Sequence, residues 1–333
     1  MRRTRLILLE GAPGSGKSTT AQIIARRLRE QGVPARWWYE EEADHPVYAF
    51  HDHASLQQTV ADLTGGQYRR VVAAALEQWR RFVDGLRTEE TVAIVDGCLY
   101  GYLTWSLFPL DVPLNEIRAY VSAVEQIIAP AEPCLIYFRQ DDLAASLRRL
   151  CDRRGPAIEQ SYVERSTQSA YGKRRDLQGF AGMVAFWTAF RRLTDAAFAG
   201  SAIPRLAIDT STGDWPAYQR QTADFLALPP ASDVTMPSAA LERFTGRYGR
   251  TVNNRQETCT VALRDGDLVL DGVPELWPQS RLLPEGGTAF AVESFPLNVT
   301  FAVGASGKAV SLTLTGPALL SGPVTRTYAR VSD

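Results

Sequence analysis

The chain has 333 residues, a formal net charge of -1 and 45% hydrophobic residues. This length exceeds what one hydrophobic core usually serves, so we expect two domains, and the composition is typical of a soluble globular protein. Because no basic surplus exists, we expect no nucleic-acid partner. No apolar run approaches the roughly 18 residues of a membrane span, so we expect no membrane association. Four cysteines without a C-x-x-C pair favour reduced thiols and a cytoplasmic location.

The most informative segment lies near the N-terminus. The apolar run 6–9 predicts a buried strand, and the residues that follow match the phosphate-binding pattern G-x-x-x-x-G-K-[ST] without a mismatch. Its glycines let the backbone form a nest of N–H groups at the start of a helix, which suits an anion. Lys17 would reach the β and γ phosphates of the ligand, and Ser18 would ligate Mg²⁺. The predicted nucleotide-binding residues are Gly11, Ala12, Pro13, Gly14, Ser15, Gly16, Lys17, Ser18 and Thr19.

Strands and helices alternate over residues 1–228. After the first strand, further strands are predicted at 35–39, 91–95, 134–138 and 206–209. Helical periodicity is clearest over 17–30, 68–86, 114–128, 142–154 and 183–198. The alternation predicts an α/β domain with a five-stranded parallel sheet and helices on both faces.

The pattern changes after residue 228. Residues 229–240 are predicted to be a linker, because prolines and small polar residues cluster there. Residues 241–333 then contain short β-rich runs between turn signals, which predicts a small antiparallel barrel or sandwich. The runs are 259–263, 267–270, 289–293, 298–303, 309–313 and 325–331.

Two carboxylates follow strands of the predicted sheet. Asp96 ends the third strand and Glu40 ends the second. Ligands of open parallel sheets bind beyond the carboxyl ends of the strands, so both side chains are expected beside the phosphate loop. One would hold Mg²⁺ and the other would act as base, in either order. The alternative for Asp96 is a turn residue before Gly97.

Four arginines lie on the helix predicted at 142–154. Arg149 and Arg153 are four residues apart and share one face, so these two are expected to act together on the transferring phosphoryl group from a closing lid. A solvated basic helix is the alternative. The full group is Arg148, Arg149, Arg153 and Arg154.

The segment after the second strand carries all three histidines, His45, His51 and His53. A zinc site is not predicted, since no suitably spaced further ligand accompanies them. A position over an acceptor pocket is favoured instead. Four aromatic residues are candidates for an apolar wall of that pocket, with core packing as the alternative. They are Trp38, Tyr100, Tyr102 and Trp105.

Together, the loop 11–19, the pair Asp96-Gly97 and the strand end Phe138-Arg139 before an arginine-rich helix resemble the P-loop nucleoside and nucleotide kinases, thymidylate kinase in particular. The resemblance covers residues 1–228. It implies ATP binding, Mg²⁺ dependence, a closing lid and transfer of the γ-phosphoryl group to a small-molecule hydroxyl. It also implies a catalytic base at the end of the second or third strand.

This chain departs from those families after the third strand. Thymidylate kinases carry Asp-Arg there and deoxynucleoside kinases Glu-Arg-Ser, whereas this chain has Asp96-Gly97-Cys98. The missing arginine removes the usual clamp on an acceptor phosphate, so a neutral hydroxyl compound fits as well as a monophosphate.

The C-terminal part resembles the lipocalin-like domain appended to some serine β-lactamase-like proteins. The residues that carry this likeness begin with Leu241-x-x-Phe244-Thr245-Gly246-Arg247-Tyr248. Three roles stay open for this domain: formation of a homodimer, covering of the active site and binding of an apolar ligand.

The sequence therefore predicts an ATP-dependent phosphotransferase that acts on a nucleoside, a nucleotide or an antibiotic-like metabolite. The alternative is a nucleotide-hydrolysing switch or assembly protein without a small-molecule acceptor. The guanine-reading element Asn/Thr-Lys-x-Asp does not occur in the sequence, which disfavours a GTPase.

Overall fold

A computed structural model describes residues 4–229 and 236–331 of the chain. These residues fall into two compact units, one formed by 4–40 with 44–229 and the other by 41–43 with 236–331. Of the predicted linker 229–240, residues 230–235 lie outside the described residues.

The first unit contains the predicted five-stranded parallel sheet, which confirms the α/β fold class. Its strand order is β2-β3-β1-β4-β5, so the first strand lies in the centre. The strands are β1 Leu6–Gly11, β2 Ala35–Trp38, β3 Val92–Asp96, β4 Cys134–Arg139 and β5 Arg205–Asp209. β1, β3 and β4 are buried along almost their whole length, as their continuous apolar sequences require.

Ten helices of the first unit lie among the described residues. They are α1 Lys17–Glu30, α2 His53–Thr64, α3 Tyr68–Thr88, α4 Leu103–Leu107, α5 Leu114–Ile128, α6 Leu143–Arg154, α7 Pro156–Thr167, α8 Ala170–Arg174, α9 Gly179–Gly200 and α10 Trp215–Leu226. A π-helical turn, Cys98–Tyr102, connects β3 to α4. The helix α7 has no apolar stripe, and it was not predicted from periodicity.

The core of the first unit is formed where helices cover the sheet. In α3 the buried residues recur three or four positions apart, which is the spacing of one helix face. Trp79 of that face is completely buried, and its indole N–H donates to the Tyr120 hydroxyl of α5 at 3.2 Å. Ring packing continues at Trp105, which stacks on Trp187 of α9 with centroids 4.3 Å apart.

The pairing register of β1 fixes the height of the phosphate loop. Leu9 pairs with Asp96 of β3, and the Gly97 N–H donates to the Leu9 carbonyl at 2.9 Å. On the other side Gly11 pairs with Phe138 of β4. The carboxyl ends of the central strands therefore meet at one edge of the sheet, where the loop between β1 and α1 begins.

The second unit is an antiparallel barrel closed by eight strands, so of the two predicted forms the barrel is confirmed. Consecutive strands pair, and β13 pairs with β6 to close the ring. A short helix, α11 Ser238–Leu241, precedes it. The strands are β6 Gly246–Val252, β7 Arg255–Arg264, β8 Asp267–Asp271, β9 Ser280–Gly286, β10 Ala289–Val292, β11 Asn298–Val303, β12 Ala309–Thr315 and β13 Arg326–Arg330.

Two of these strands, β6 and β9, were not predicted. β6 contains Gly246 and Gly249, and β9 contains Pro284, which pairs with Phe290 beside an irregularity in the register. Glycine and proline are ordinarily signs of turns or edges, so the sequence pattern hides both strands.

The barrel interior is filled by aromatic rings. Phe244, Phe290 and Phe301 are buried and lie with ring centroids 4.7 to 5.6 Å apart. The Arg330 guanidinium donates to the Thr245 carbonyl at 2.7 Å and to the Tyr248 hydroxyl at 3.1 Å, which joins the last strand to the start of the barrel.

A short piece of the N-terminal half is part of the second unit. Glu42 forms an isolated antiparallel bridge with Leu319, and the neighbouring Ala43 N–H donates to the Ala318 carbonyl at 2.9 Å. The structure shows that the C-terminal part is an eight-stranded barrel. Its resemblance to lipocalin-like domains stays a prediction.

All four cysteines are buried, and none of them forms a disulfide. Among the described residues, no helix combines the length and the apolar character that crossing a membrane requires.

Candidate functional site

The phosphate loop connects β1 to α1. Gly16 is the N-cap of α1, in a left-handed conformation with φ of 96°, and no side chain caps this helix end. A Cβ at Gly16 would lie 2.4 Å from Cζ3 of Trp215, so glycine is needed there for space as well as for conformation. The first N–H groups of a helix have no acceptor within the helix. The loop therefore presents donors suited to an anion.

Lys17 begins α1 and is almost fully buried, with 7% of its surface exposed. Burial alone lowers the pKa of Lys17, but the carboxylates of Glu40, Asp96 and Glu10 outweigh burial and raise the pKa above its usual value. The ammonium group is therefore charged at neutral pH. Three acidic side chains from three different strand ends surround one lysine.

Asp96 is completely buried at the end of β3. Among the described residues, no donor lies within hydrogen-bonding distance and angle of either carboxylate oxygen. Burial, with the nearby charge of Glu40, raises the pKa of Asp96 to about 7, while Lys17 and the neighbouring Ser18 and Trp37 side chains lower it. Buried oxygens without a partner are costly unless something else binds them. The pair Asp96 and Ser18 fits a cation that arrives with the nucleotide.

Glu40 follows β2 and is half-buried. A Cβ at Gly97 would lie 2.4 Å from its Oε2 atom and 3.3 Å from Cε of Lys17. Gly97, with φ of 69°, therefore leaves the space in which the Glu40 carboxylate lies against Asp96 and Lys17. The Tyr48 hydroxyl donates to the Glu40 carbonyl and holds this segment in place.

Glu10 is an acidic residue of the site that sequence reasoning missed. It lies in β1 directly before the phosphate loop and has 1% of its surface exposed. Its Oε1 accepts the Leu99 N–H at 2.6 Å. Burial raises the pKa of Glu10 to about 8, opposed by the Leu99 hydrogen bond and the charge of Lys17. The available signal was a lone charge at the end of an apolar run that predicts a strand buried on both faces.

The arginines of α6 have separate partners. Arg148 pairs with Glu159 at 3.0 Å. Arg149 donates to the Ser146 hydroxyl at 2.9 Å and to the Ser211 carbonyl at 3.2 Å, beyond the end of β5.

The structure relates another arginine of α6 to the phosphate-loop lysine. Arg154 donates to the Tyr162 hydroxyl at 2.9 Å, and Tyr162 is one of the groups that raise the pKa of Lys17. Arg153, which was predicted to act with Arg149, is exposed. Leu150 of the same helix lies against the phosphate loop, since a Cβ at Gly14 would be 2.9 Å from its Cδ1.

The three histidines do not cluster. His51 and His53 are exposed, whereas His45 is buried, and burial with the charge of Arg36 lowers the pKa of His45 to about 3. Its Nε2 lies 3.3 Å from Sγ of Cys98, so the neutral ring connects the segment after β2 to the turn after β3. In the described part of the chain, no group of three or more His, Cys, Asp and Glu side chains is arranged to hold a metal ion.

The four predicted wall residues are divided between two places. Tyr102 stacks on Tyr48 with centroids 4.2 Å apart, and Trp38 approaches His45, so these two lie near the segment that follows β2. Tyr100 instead packs edge-on against Tyr137, and Trp105 lies in the core formed with α9.

Comparison with known proteins gives one family match. Residues 7–165, just under half of the chain, match the family model of an AAA domain. No curated protein matches the chain.

Two solved structures are similar to the chain at low identity. The deoxyadenosine kinase from M. mycoides with bound dATP is 14% identical with a TM-score of 0.37, and the match covers 66% of this chain and 98% of that one. The thymidylate kinase from Candida albicans is 14% identical with a TM-score of 0.38, over 69% and 96% of the two chains. Likenesses this distant do not bear on substrate.

The steric role of Gly16 is testable by substitution. We expect Gly16→Ala to weaken binding of fluorescent mant-ATP with Mg²⁺ by at least about tenfold, because an alanine in this left-handed backbone conformation adds about 1–2 kcal/mol of strain and its Cβ collides with Trp215. The control is Gly32→Ala, where φ is 73° but no atom lies within 4 Å. The double variant Gly16→Ala with Trp215→Ala should recover part of the affinity. Equal affinities for the Gly16 and Gly32 variants would contradict the steric argument.

Glu10 makes stability depend on pH. Since its pKa is about 8 in the folded protein and 4.5 ordinarily, the folded state holds a proton that the unfolded chain releases, and stability falls as pH rises between these values. We expect Glu10→Gln to raise the free energy of unfolding above that of the parent. The difference between the two proteins should be larger at pH 8 than near pH 4.5, by roughly 3–5 kcal/mol. Denaturant unfolding followed by far-ultraviolet circular dichroism measures this. Exposed Glu90→Gln is the control, and identical pH trends in both variants would rule the effect out.

Proposed function

We propose that the protein is an ATP-dependent phosphotransferase that moves the γ-phosphoryl group to a hydroxyl of a small molecule, which is a nucleoside, a nucleotide or an antibiotic-like metabolite. One observation carries the proposal. Lys17 at the start of α1, Asp96 at the end of β3 and Glu40 after β2 converge beside a glycine loop that fits phosphates. A lysine for the phosphates with two carboxylates for metal and acceptor is the set that phosphoryl transfer to a hydroxyl needs.

The residues present fit ATP with Mg²⁺. The loop 11–19 would hold the phosphates, with Lys17 on the β and γ groups, and Ser18 and Asp96 would hold the cation. Magnesium is commonly bound by one or two carboxylates together with substrate phosphates and water, so a preformed protein cage is not needed. When bound, the cation neutralises charge on the phosphates.

The two carboxylates differ in exposure, which supports a division of roles. Asp96 is completely buried beside Ser18, whereas Glu40 is only half-buried. We therefore assign Asp96 to the cation and Glu40 to the acceptor. In transfer, the acceptor oxygen forms a bond to the γ-phosphorus, the bond from that phosphorus to the bridging oxygen breaks, and ADP keeps the electron pair. The hydroxyl proton goes to the Glu40 carboxylate.

Arginines of α6 would stabilise the transferring group. Arg149 and Arg153 are the pair expected from helical spacing, and the guanidinium plane suits bidentate contacts to phosphoryl oxygens. Arg154 is a further candidate, because it donates to the Tyr162 hydroxyl, which is one of the groups that raise the pKa of Lys17. Contact of Leu150 with the phosphate loop supports the placement of α6 as the lid.

The acceptor class follows from what surrounds Gly97. The position after Asp96 carries no cationic side chain, and the Glu40 carboxylate lies in the space beside it. A carboxylate repels an acceptor phosphate and suits a hydroxyl that must lose a proton. Within the proposed class, this favours neutral hydroxyl compounds over monophosphates.

Label transfer tests the activity. A screen of nucleosides, nucleotides, aminoglycosides and other hydroxylated metabolites with γ-labelled ATP should give one labelled product in stoichiometric amount. Lys17→Ala should lower the transfer rate by at least about 100-fold, since it removes a fixed positive charge from the phosphates. Lys308→Ala, on the exposed surface of the barrel unit, is the control.

Slow release of inorganic phosphate without any labelled product would instead support the nucleotide-hydrolysing switch. Transfer that survives Lys17→Ala unchanged would contradict the assignment of the activity to this phosphate loop, because the proposed mechanism requires the lysine at the phosphates.

The division of roles between the carboxylates is testable separately. Glu40→Gln should lower kcat by about 100-fold or more and leave Mg²⁺-dependent binding of mant-ATP unchanged, because a base acts only in transfer. Asp96→Asn should raise the Mg²⁺ concentration needed for half-maximal binding. Glu41→Gln, at the exposed neighbouring position, is the control. The reverse pattern would assign the base to Asp96.

A further inference from the structure

Three acidic residues of the described ranges lie near Lys17, and the proposed function gives a role to Asp96 and Glu40 but not to Glu10. It is the last side chain of the central strand before the phosphate loop, and it is buried where the neighbouring residues Leu8 and Leu9 are apolar. A buried carboxyl in such a strand is costly unless it makes specific contacts. Its contacts therefore indicate what it does.

The partner of Glu10 is the π-helical turn 98–102. The Leu99 N–H donates to its Oε1 at 2.6 Å, and the hydrogen bond of the Tyr100 N–H acts on the same carboxyl. This turn follows Gly97 and has no capping side chain of its own. The first N–H groups of a helical turn need acceptors from elsewhere. Glu10 of β1 supplies such an acceptor to the turn.

The turn 98–102 also contacts the segments that carry Asp96 and Glu40, the two carboxylates of the proposed mechanism. It begins directly after Asp96 and Gly97. Sγ of Cys98 contacts His45, and the Tyr102 ring stacks on Tyr48. Tyr48 donates to the Glu40 carbonyl, so displacement of the turn would reach the segment that carries Glu40.

We propose that Glu10 is a positioning residue, which fixes the turn 98–102 to the phosphate loop and thereby holds Asp96 and Glu40 at the correct distance from Lys17. The residue contacts no reacting atom in this account. The proposal rests on the proposed function for its effect on transfer, but its structural part stands independently of the reaction.

Two substitutions separate the acceptor oxygen from the rest of the side chain. Glu10→Gln keeps an oxygen for the Leu99 N–H, whereas Glu10→Met fills a similar volume without one. Leu8→Met is the matched control, because Leu8 is a buried residue of the same strand two positions away and on the same face. If Glu10→Met does not fold, Glu10→Asp replaces it, since its carboxyl is one methylene too short to reach.

Amide hydrogen exchange over residues 97–105 gives a readout that needs no substrate. We expect exchange at Leu99 and Tyr100 to accelerate by at least about tenfold in Glu10→Met, with no comparable acceleration in Glu10→Gln or Leu8→Met. Exchange in Glu10→Met equal to that of the parent would overturn the proposal.

Binding and transfer complete the test. With Mg²⁺ and mant-ATP, Glu10→Met should bind within about threefold of the parent, while kcat for the hydroxyl compound identified in the label screen falls by at least about tenfold and recovers in Glu10→Gln. A parallel loss of mant-ATP affinity would overturn the proposal, because Glu10 would then support the phosphate loop itself. If the screen yields no labelled product, the proposed function fails while hydrogen exchange still decides on Glu10.

Discussion

Parallel pairing of β1 with β3 sets the position of Asp96 relative to the phosphate loop. Because Leu9 lies opposite Asp96, the phosphate loop begins at the level of the last residue of β3, which carries the carboxylate. A shift of this pairing by one residue would move Asp96 by about 3.3 Å along the sheet and turn it to the other face. The buried apolar side chains of both strands prevent such a shift, so the packing of the sheet protects the geometry of the site.

Electrostatic balance around Lys17 is the second requirement of the site. One buried ammonium group faces the carboxyls of Glu10, Glu40 and Asp96, and burial raises the pKa of Glu10 and Asp96. Charges this close titrate together, so a change in one group alters its neighbours. An arriving triphosphate with a cation adds both signs of charge to the cluster. The site is therefore a cluster of carboxyls around one lysine, in which binding of a charged ligand and protonation of the carboxyls are linked.

Much of the first unit was predictable because its signals are local. The G-x-x-x-x-G-K-[ST] spacing and the apolar runs of β1, β3 and β4 each depend on neighbouring residues only, and the five-stranded parallel sheet followed from them. The closed barrel was harder, since β6 and β9 carry glycines or proline inside the strand. What sequence could not give was contact between distant segments. Glu10 meets Leu99, and Tyr102 stacks on Tyr48, only because the chain folds back on itself. The selection of Arg149 and Arg153 used helical spacing alone and stays a prediction.

The space at Gly97 has a consequence for any larger residue at this position. Because the Glu40 carboxylate occupies the room that any side chain at position 97 would need, the two positions constrain each other. Introducing an arginine there would displace the Glu40 carboxylate from its place beside Lys17. A side chain at position 97 therefore requires both a left-handed backbone, since φ is 69°, and a new position for the Glu40 carboxylate.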